Sequence, residues 1–120
     1  MKILIVDDSR AMRRIIQRTL LQAGFSGFNI VEAENGAEAL DIVESERPDL
    51  ILSDWHMPVM SGLEFKQALN EVGNEATFGF ITSENTQEMR DVAAGAGADF
   101  LLAKPFTPND MAQVLGMFVS

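Results

Sequence analysis

Five short apolar runs recur along the chain, and a longer segment with helical periodicity follows each of them. The runs occupy residues 3–6, 30–31, 50–52, 78–81 and 100–103. Most are continuous rather than alternating, which is typical of strands that are buried on both faces of a parallel sheet. The segments between them are long enough for crossover helices. The pattern therefore predicts a doubly wound α/β domain, a five-stranded parallel sheet with helices on both faces.

The predicted helices begin and end at residues that favour helix termini. Ser9 is placed to cap the first helix and Gly24 to end it, and the later helices are expected to begin after Asn35-Gly36, near Ser61, near residue 85 or 86, and after Pro108. Helical spacing assigns these residues to the inward faces: Met12, Ile15, Ile16, Thr19, Leu20 and Ala23, then Phe65, Ala68, Leu69 and Val72, then Met89, Val92 and Ala93, and finally Met111, Val114, Leu115 and Phe118.

Length and charge narrow the class of protein. The chain has 120 residues, enough for one domain, so residues 1–120 are predicted to form a single unit. Nine basic against 18 acidic residues give a net charge of −9, which opposes direct binding to nucleic acid or anionic lipid. Without cysteine there is no disulfide, thiolate zinc site or cysteine nucleophile. With neither a signal peptide nor a long apolar run, the expected location is the cytoplasm, without membrane insertion.

Polar residues follow four of the predicted strands. They are Asp7-Asp8 after the first, Asp54 after the third, Thr82-Ser83 after the fourth, and Lys104-Pro105 after the fifth. Because the carboxyl ends of parallel strands share one edge of a sheet, these groups are expected to converge there. Clustered carboxylates need a cation, and their oxygens suit Mg²⁺. One carboxylate could then attack a phosphoryl group that the lysine and the threonine bind, which predicts formation and hydrolysis of an aspartyl phosphate.

Four linked motifs resemble the signature of response-regulator receiver domains. They are Val6-Asp7-Asp8, the run 53–58 (SDWHMP) followed by Ser61-Gly62, the run 81–84 (ITSE), and the run 104–106 (KPF). The match extends from Lys2 to about Phe118 with motif order and spacing intact. Residues 12–15 (MRRI), and Trp55 beside Asp54, resemble the chemotaxis-type single-domain receivers most closely. The resemblance implies the strand order 2-1-3-4-5.

The resemblance also assigns roles around the acceptor. It implies that Asp54 accepts a phosphoryl group from a phosphohistidine on a histidine kinase or a histidine phosphotransfer protein. Asp8, Asp54 and the backbone carbonyl of His56 are expected to bind Mg²⁺, with Asp7 acting through water.

Three further residues receive roles from the same resemblance. Lys104 is expected to pair with the phosphoryl group, and Thr82 is expected to move towards it. Pro105 is expected to follow a cis peptide bond.

Two departures from the family pattern affect regulation. An aromatic residue usually lies three positions before the lysine, where it reorients on activation, but this chain has Leu101 there and Phe100 one position earlier. His56 stands two residues after the acceptor, where chemotaxis-type receivers commonly have Asn, so it is a candidate to alter the lifetime of the phosphorylated state. Glu84, two residues after Thr82, is the second candidate for this control.

Several of these residues also have a simpler interpretation. Asp7-Asp8 could cap the first helix, Thr82 could cap a strand-to-helix turn, and His56 could be a solvated loop residue. The first helix carries Arg10, Arg14 and Arg18 on one line with Arg13 near it. This set is either a solvated helix face or a docking face for an acidic phosphodonor.

Four classes of function compete for this chain. The first is a stand-alone receiver that signals by phosphorylation-dependent contact with an output protein, in chemotaxis, as a relay intermediate or as a phosphate sink. An aspartate-nucleophile phosphatase would need an acid where His56 stands. A flavin-binding domain would need a phosphate-binding loop, and Asp7-Asp8 would repel the phosphate. A degenerate scaffold would not need the complete acid set, so the residues favour an active receiver, which is not an enzyme in its own right.

Overall fold

The computed structural model, which describes residues 1–118, is a single five-stranded parallel sheet with helices on both faces. The elements in chain order are β1 (Lys2–Val6), α1 (Arg10–Gln22), β2 (Asn29–Ala33), α2 (Gly36–Glu46), β3 (Leu50–Ser53), α3 (Gly62–Glu71), β4 (Thr77–Thr82), α4 (Gln87–Gly95), β5 (Phe100–Ala103) and α5 (Pro108–Leu115). The strand order is β2-β1-β3-β4-β5, as predicted. The last two residues of the predicted domain, 119–120, lie outside the described residues. No helix in residues 1–118 combines the length and the apolar character that crossing a membrane requires.

The position of each strand in the sheet explains its residues. β1 lies between β2 and β3, and β3 lies between β1 and β4, so both need apolar side chains on both faces. Residues 3–6 of β1 and all of β3 are buried accordingly. β2 is an edge strand with partly exposed residues, which is why its apolar run is only two residues long although the strand has five.

Two apolar clusters cover the two faces of the sheet. One contains Phe65, Phe78 and Phe80 and packs α2, α3 and α4 against the sheet. The other contains Ile5, Ile16 and Leu115 and packs α1 and α5 on the opposite face. Successive residues of a strand supply opposite clusters, as the alternation of side chains requires.

A polar side chain caps the amino terminus of every helix. Each accepts a hydrogen bond from the backbone N–H three residues later, which satisfies one of the free donors of the first turn. The capping residues are Ser9, Asn35, Ser61, Thr86 and Thr107. These caps start the helices immediately after the loops that carry the strand-end residues.

Four residues assigned to inward faces are exposed instead. Val72 follows the last residue of α3 and is 75% exposed, and Phe118 lies beyond the end of α5. Ile15 and Val92 lie within α1 and α4 but at the border of the apolar stripe, and both side chains are exposed. An inward face that is assigned from helical spacing alone therefore includes residues at its sides that are exposed, and it extends past the end of the helix.

Candidate functional site

The first part of the site is the loop after β1. The Asp7 N–H donates to the Ala33 carbonyl at 3.1 Å, which extends the pairing with β2 by one residue. Its carboxylate is buried, and Oδ1 accepts the Ser9 N–H at 2.9 Å. Asp8 is exposed and, among the described residues, its carboxylate accepts no hydrogen bond. The two neighbouring acids therefore differ: one is held within the fold and the other is free to bind.

The second part is Asp54, directly after β3. Its N–H donates to the Val6 carbonyl at 2.8 Å, and its Oδ1 accepts the Trp55 N–H at 2.7 Å. The Asp54 side chain is 12% exposed. Gly62 approaches so closely that a Cβ at that position would collide with the Asp54 carbonyl oxygen. The start of α3 thus packs directly on the Asp54 backbone, and only glycine leaves the space.

Lys104, after β5, connects the two acidic loops. Its Nζ lies 3.0 Å from Asp7 Oδ2 and 3.3 Å from Asp54 Oδ2. Its N–H donates to the Thr82 carbonyl at 2.8 Å, which holds the lysine against the end of β4. The Lys104–Pro105 peptide bond is cis, in agreement with the resemblance.

The carboxylates form a group that suits a divalent cation. Ligand oxygens of Asp7, Asp8 and Asp54 lie within 4.8 Å of one another. The pKa of Asp54 is raised, chiefly because burial disfavours its charged form; Lys104 lowers this pKa, and the neighbouring Asp7 carboxylate raises it. Three carboxylates face one ammonium group, so the local charge is negative. Hard oxygen donors with surplus negative charge fit Mg²⁺.

Thr82 and Leu101 lie on one face of the sheet. Thr82 is fully buried, and its hydroxyl accepts a long hydrogen bond from the Glu84 N–H at 3.4 Å. Phe80, which lies two residues before Thr82 on β4, pairs with Leu101 of β5. Leu101 packs against the apolar cluster that contains Phe80. The side chain at position 101 therefore lies on the same face of the sheet as Thr82, the face that α2, α3 and α4 cover.

Phe100 cannot replace the aromatic residue that Leu101 lacks. It lies on the opposite face of the sheet, where its ring packs over Gly79 and stacks on Phe118 with ring centroids 5.6 Å apart. A shift of one residue along a strand moves a side chain to the other face. The family's usual aromatic is thus absent from this position of the site.

His56 and Glu84 face each other at the site entrance. His56 Nε2 lies 3.4 Å from Glu84 Oε1, and the side chains are 60% and 59% exposed. One follows β3 and the other follows β4, so the pair joins two of the loops that carry the site. Sequence reasoning identified both residues separately but not their contact.

Arg13 was misassigned from the sequence. Arg10, Arg14 and Arg18 are exposed on α1 as predicted, but the Arg13 side chain is only 9% exposed and points to the core side. The spacing contains the signal, because residue 13 stands three before Ile16 and seven before Leu20, both on the buried face. A charged residue on a buried face needs partners, and Arg13 has two, the Asp7 carbonyl and Glu32.

Comparison with known proteins gives a consistent result. The response regulator receiver domain model matches residues 3–116. The chain is 37% identical over 111 residues to response regulator MprA of Mycobacterium avium, in an alignment that covers 92% of this chain and 47% of that protein. It therefore spans about half the length of the curated relatives it matches.

Solved structures show the same likeness. The chemotaxis protein CheY4 of Vibrio cholerae superimposes with a TM-score of 0.86 at 33% identity, over 98% of each chain. The receiver domain of NarL from Mycobacterium tuberculosis has a TM-score of 0.85 at 26% identity, over 97% of this chain and 93% of that one. Motifs, strand order, site geometry and relatives agree, and the chain belongs to the response regulator receiver domain family.

Proposed function

We propose that the domain accepts a phosphoryl group on Asp54 from a phosphohistidine of a histidine kinase or a histidine phosphotransfer protein. The observation that carries the proposal is the position of Asp54 between Lys104, 3.3 Å away, and the carboxylates of Asp7 and Asp8. The nucleophile, a cationic partner for the phosphoryl oxygens and the ligands for a divalent cation thereby meet at one edge of the sheet.

The transfer step is a displacement at phosphorus. A carboxylate oxygen of Asp54 attacks, an O–P bond forms, the P–N bond to the donor imidazole breaks, and the imidazole leaves with the bonding electrons. Lys104 balances charge on the phosphoryl oxygens, and its bond to Asp7 keeps the ammonium in place. Asp8, Asp54 and the backbone carbonyl of His56, with Asp7 acting through water, would hold Mg²⁺, which would supply further charge neutralisation.

Release of the signal is a second displacement at phosphorus, in which water is the nucleophile and the Asp54 carboxylate is the leaving group. Water attacks the acyl phosphate and returns inorganic phosphate and the free Asp54 carboxylate. A dedicated phosphatase would place an acid two residues after its nucleophile, and this chain has His56 there. The proposed domain is therefore a regulatory phosphoacceptor and not a multiple-turnover enzyme.

The proposed output is a phosphorylation-dependent protein contact. Thr82 is the group that moves towards the phosphoryl oxygens, and β5 transmits the change to the surface formed by α4, β5 and α5. The same receiver part occurs in a response regulator about twice as long and in a chemotaxis protein of equal length. A chemotaxis output, a relay intermediate and a phosphate sink all use this chemistry, in the cytoplasm where their phosphodonors act. The net charge of −9 opposes direct nucleic-acid contact by this domain.

Phosphorylation in vitro tests the acceptor. A small acyl-phosphate donor with Mg²⁺ is expected to add one phosphoryl group, which mass spectrometry after peptide mapping places on Asp54. Asp54→Asn should show none there. Mg²⁺ is expected to change the fluorescence of Trp55, whose backbone N–H donates to Asp54 Oδ1. Asp8→Ala should fold normally but lose both this change and rapid phosphorylation. A stable phosphate on another residue of the wild type would overturn the proposal.

A further inference from the structure

The guanidinium of Arg13 joins the edge strand to the acidic loop. Its Nη1 donates to the Asp7 carbonyl at 2.6 Å, and its Nε donates to Glu32 Oε1 at 2.9 Å. Glu32 lies on β2, opposite Ile5 of β1. The planar guanidinium thus spans from the edge of the sheet to the loop that follows its neighbouring strand.

The contact reaches Asp8 through one peptide group. The carbonyl of Asp7 and the N–H of Asp8 belong to the same planar unit. Because the Asp7 N–H is held by Ala33 and its carbonyl by Arg13, the peptide planes on both sides of the Asp7 Cα are restrained. The plane that Arg13 holds leads directly into the Asp8 Cα, and the Ser9 N–H bound to Asp7 Oδ1 restrains the plane on the other side. Together these contacts restrict the directions that the Asp8 side chain can take.

Asp8 depends on this support more than its neighbours do. The Asp7 carboxylate has Ser9 and Lys104 as partners, and Asp54 has Trp55 and Lys104. No comparable bond holds the Asp8 carboxylate within the described residues. Its orientation towards the other two acids therefore comes from the backbone.

We propose that Arg13 is a positioning residue for the cation site: by bridging Glu32 and the Asp7 carbonyl it orients Asp8 for Mg²⁺. The inference rests on the proposed function only in taking Asp8 as a ligand. Groups that orient metal ligands commonly change metal affinity by about 10–100-fold when they are removed. Arg13 acts on the backbone rather than on the ligand side chain, so the lower end of that range, about tenfold, is expected.

The test measures Mg²⁺ affinity directly, from Trp55 fluorescence without any phosphodonor. Arg13→Met retains the buried stem but removes both hydrogen bonds, and should raise the Kd for Mg²⁺ about tenfold. Arg13→Lys keeps the charge but offers one compact donor group, and should recover part of the affinity. Glu32→Gln keeps an acceptor for Nε, and its Kd should stay within about twofold of the wild type.

Two controls separate positioning from general destabilisation. Val43→Ala opens space in the core on α2, away from the acidic loops, and urea unfolding should show a loss of stability similar to that of Arg13→Met. Its Mg²⁺ affinity should nevertheless match the wild type. In addition, the phosphorylation rate of Arg13→Met should return to within about twofold of the wild type at saturating Mg²⁺, since only binding is impaired.

The outcomes distinguish this inference from the proposed function. If the wild type binds Mg²⁺ and Asp8→Ala does not, the cation site stands, and an unchanged Kd in Arg13→Met then overturns the positioning role alone. Equal loss of affinity in Val43→Ala and Arg13→Met also overturns it, because the effect would be structural. A wild type that binds no Mg²⁺ overturns the proposed function itself.

Discussion

Asp54 is the residue where stability and chemistry conflict. In the proposed mechanism it must be charged to attack phosphorus, yet burial, together with the nearby Asp7, raises its pKa and makes the charged form costly. Lys104 relieves that cost only in part, because its Nζ is shared with Asp7. The site therefore keeps a reactive carboxylate at the expense of some folding free energy, as functional sites often do.

The pH dependence of unfolding should show this conflict. Because the folded-state pKa of Asp54 is raised, the folded state binds this proton more tightly, and the charged carboxylate lowers stability as pH rises through its pKa. Asp54→Asn should thus increase the free energy of unfolding at neutral pH, and the gain should vanish at a pH where Asp54 is protonated in both states. Urea unfolding at several pH values measures this gain in the free energy of unfolding. Asp41→Asn, a substitution at an exposed position, is the control. A gain that is constant with pH would contradict the assignment.

The His56–Glu84 pair provides a second prediction at this scale. Both side chains are exposed and lie 3.4 Å apart, so the contact is weak, and its loss should change a rate by no more than a few-fold. His56→Asn and Glu84→Gln should each alter self-dephosphorylation, and we expect faster decay because the pair bridges two loops at the entrance.

A double-variant cycle checks this pair. Because either substitution breaks the same contact, the double variant should decay no faster than the single variants. Decay of the phosphorylated protein, followed by loss of label from Asp54, is the measurement. Additive effects would show that the residues act separately, and unchanged decay in all three variants would leave His56 a solvated loop residue.

At the scale of the elements, the start of α3 supports the backbone of Asp54 and Trp55. Gly62 is the first residue of the helix, and its N–H donates to the Trp55 carbonyl at 2.8 Å. The capping box of Ser61 and Glu64 holds the turn, and hydrogen bonds from Ser61 lower the pKa of Glu64. Cap and close packing together place helix and acceptor in one rigid unit.

Gly62→Ala should disrupt that unit. The added Cβ would collide with the Asp54 carbonyl oxygen and lie 3.1 Å from the Phe80 ring, so backbone must shift. A loss of about 2–3 kcal/mol in the free energy of unfolding is expected, with slower phosphorylation. Gly95→Ala is the control: it lies in α4 with nothing within 4 Å of the new Cβ, so helix propensity should leave stability unchanged or higher. Equal urea midpoints for the two variants would contradict this account.

The proposed coupling from site to surface runs through β4 and β5. Thr82→Ala should still be phosphorylated, but the gain in partner affinity on phosphorylation should shrink, because the hydroxyl proposed to bind the phosphoryl group is lost. Leu101→Ala should lower stability by about 2 kcal/mol and weaken partner binding in both states, since it opens space beside Phe80. Partner affinity with and without phosphorylation is the measurement. A full difference in Thr82→Ala, with none in Leu101→Ala, would make Leu101 the switch.

The elements also show how far sequence reasoning reaches. The buried strands were predictable because two-sided burial produces continuous apolar runs, and strand order placed Asp7, Asp54 and Lys104 together. The exposure of Val72 and Phe118 was not predictable, because the apolar spacing of a helix does not show where the helix itself ends. Arg13 was missed for a related reason: its partners, a backbone carbonyl and an edge-strand glutamate, are brought to it only by the fold.

For the whole molecule, the distribution of charge is uneven. The net charge is −9, yet Arg10, Arg14 and Arg18 are exposed together on α1, which begins beside the acidic site. Because the molecule as a whole repels acidic partners, this basic patch favours the orientation in which an acidic partner approaches α1. If the arginines form only a solvated face, they should not favour transfer from a protein phosphodonor over transfer from a small one.

That difference is measurable. Arg14→Glu with Arg18→Glu should slow phosphoryl transfer from an acidic phosphohistidine protein about tenfold at low ionic strength, because encounter is steered by charge. Transfer from a small acyl phosphate should stay within about twofold, and added salt should reduce the difference. Arg47→Glu with Arg90→Glu, two charge reversals at exposed positions outside α1, is the matched control. Equal slowing with both donors, or in the control, would assign the arginines to the solvated face.

The cluster beneath α1 and α5 has a consequence for the order in which the chain is made. Ile5 and Ile16 lie early in the chain, and Met111 and Leu115 lie late in it. Residues that are far apart in the sequence therefore complete one apolar layer. During translation, the first helix leaves the ribosome long before its covering partner exists. Its apolar stripe therefore stays accessible to chaperones until α5 emerges. Ribosome-stalled chains that end before Pro108 should retain a protease-sensitive α1.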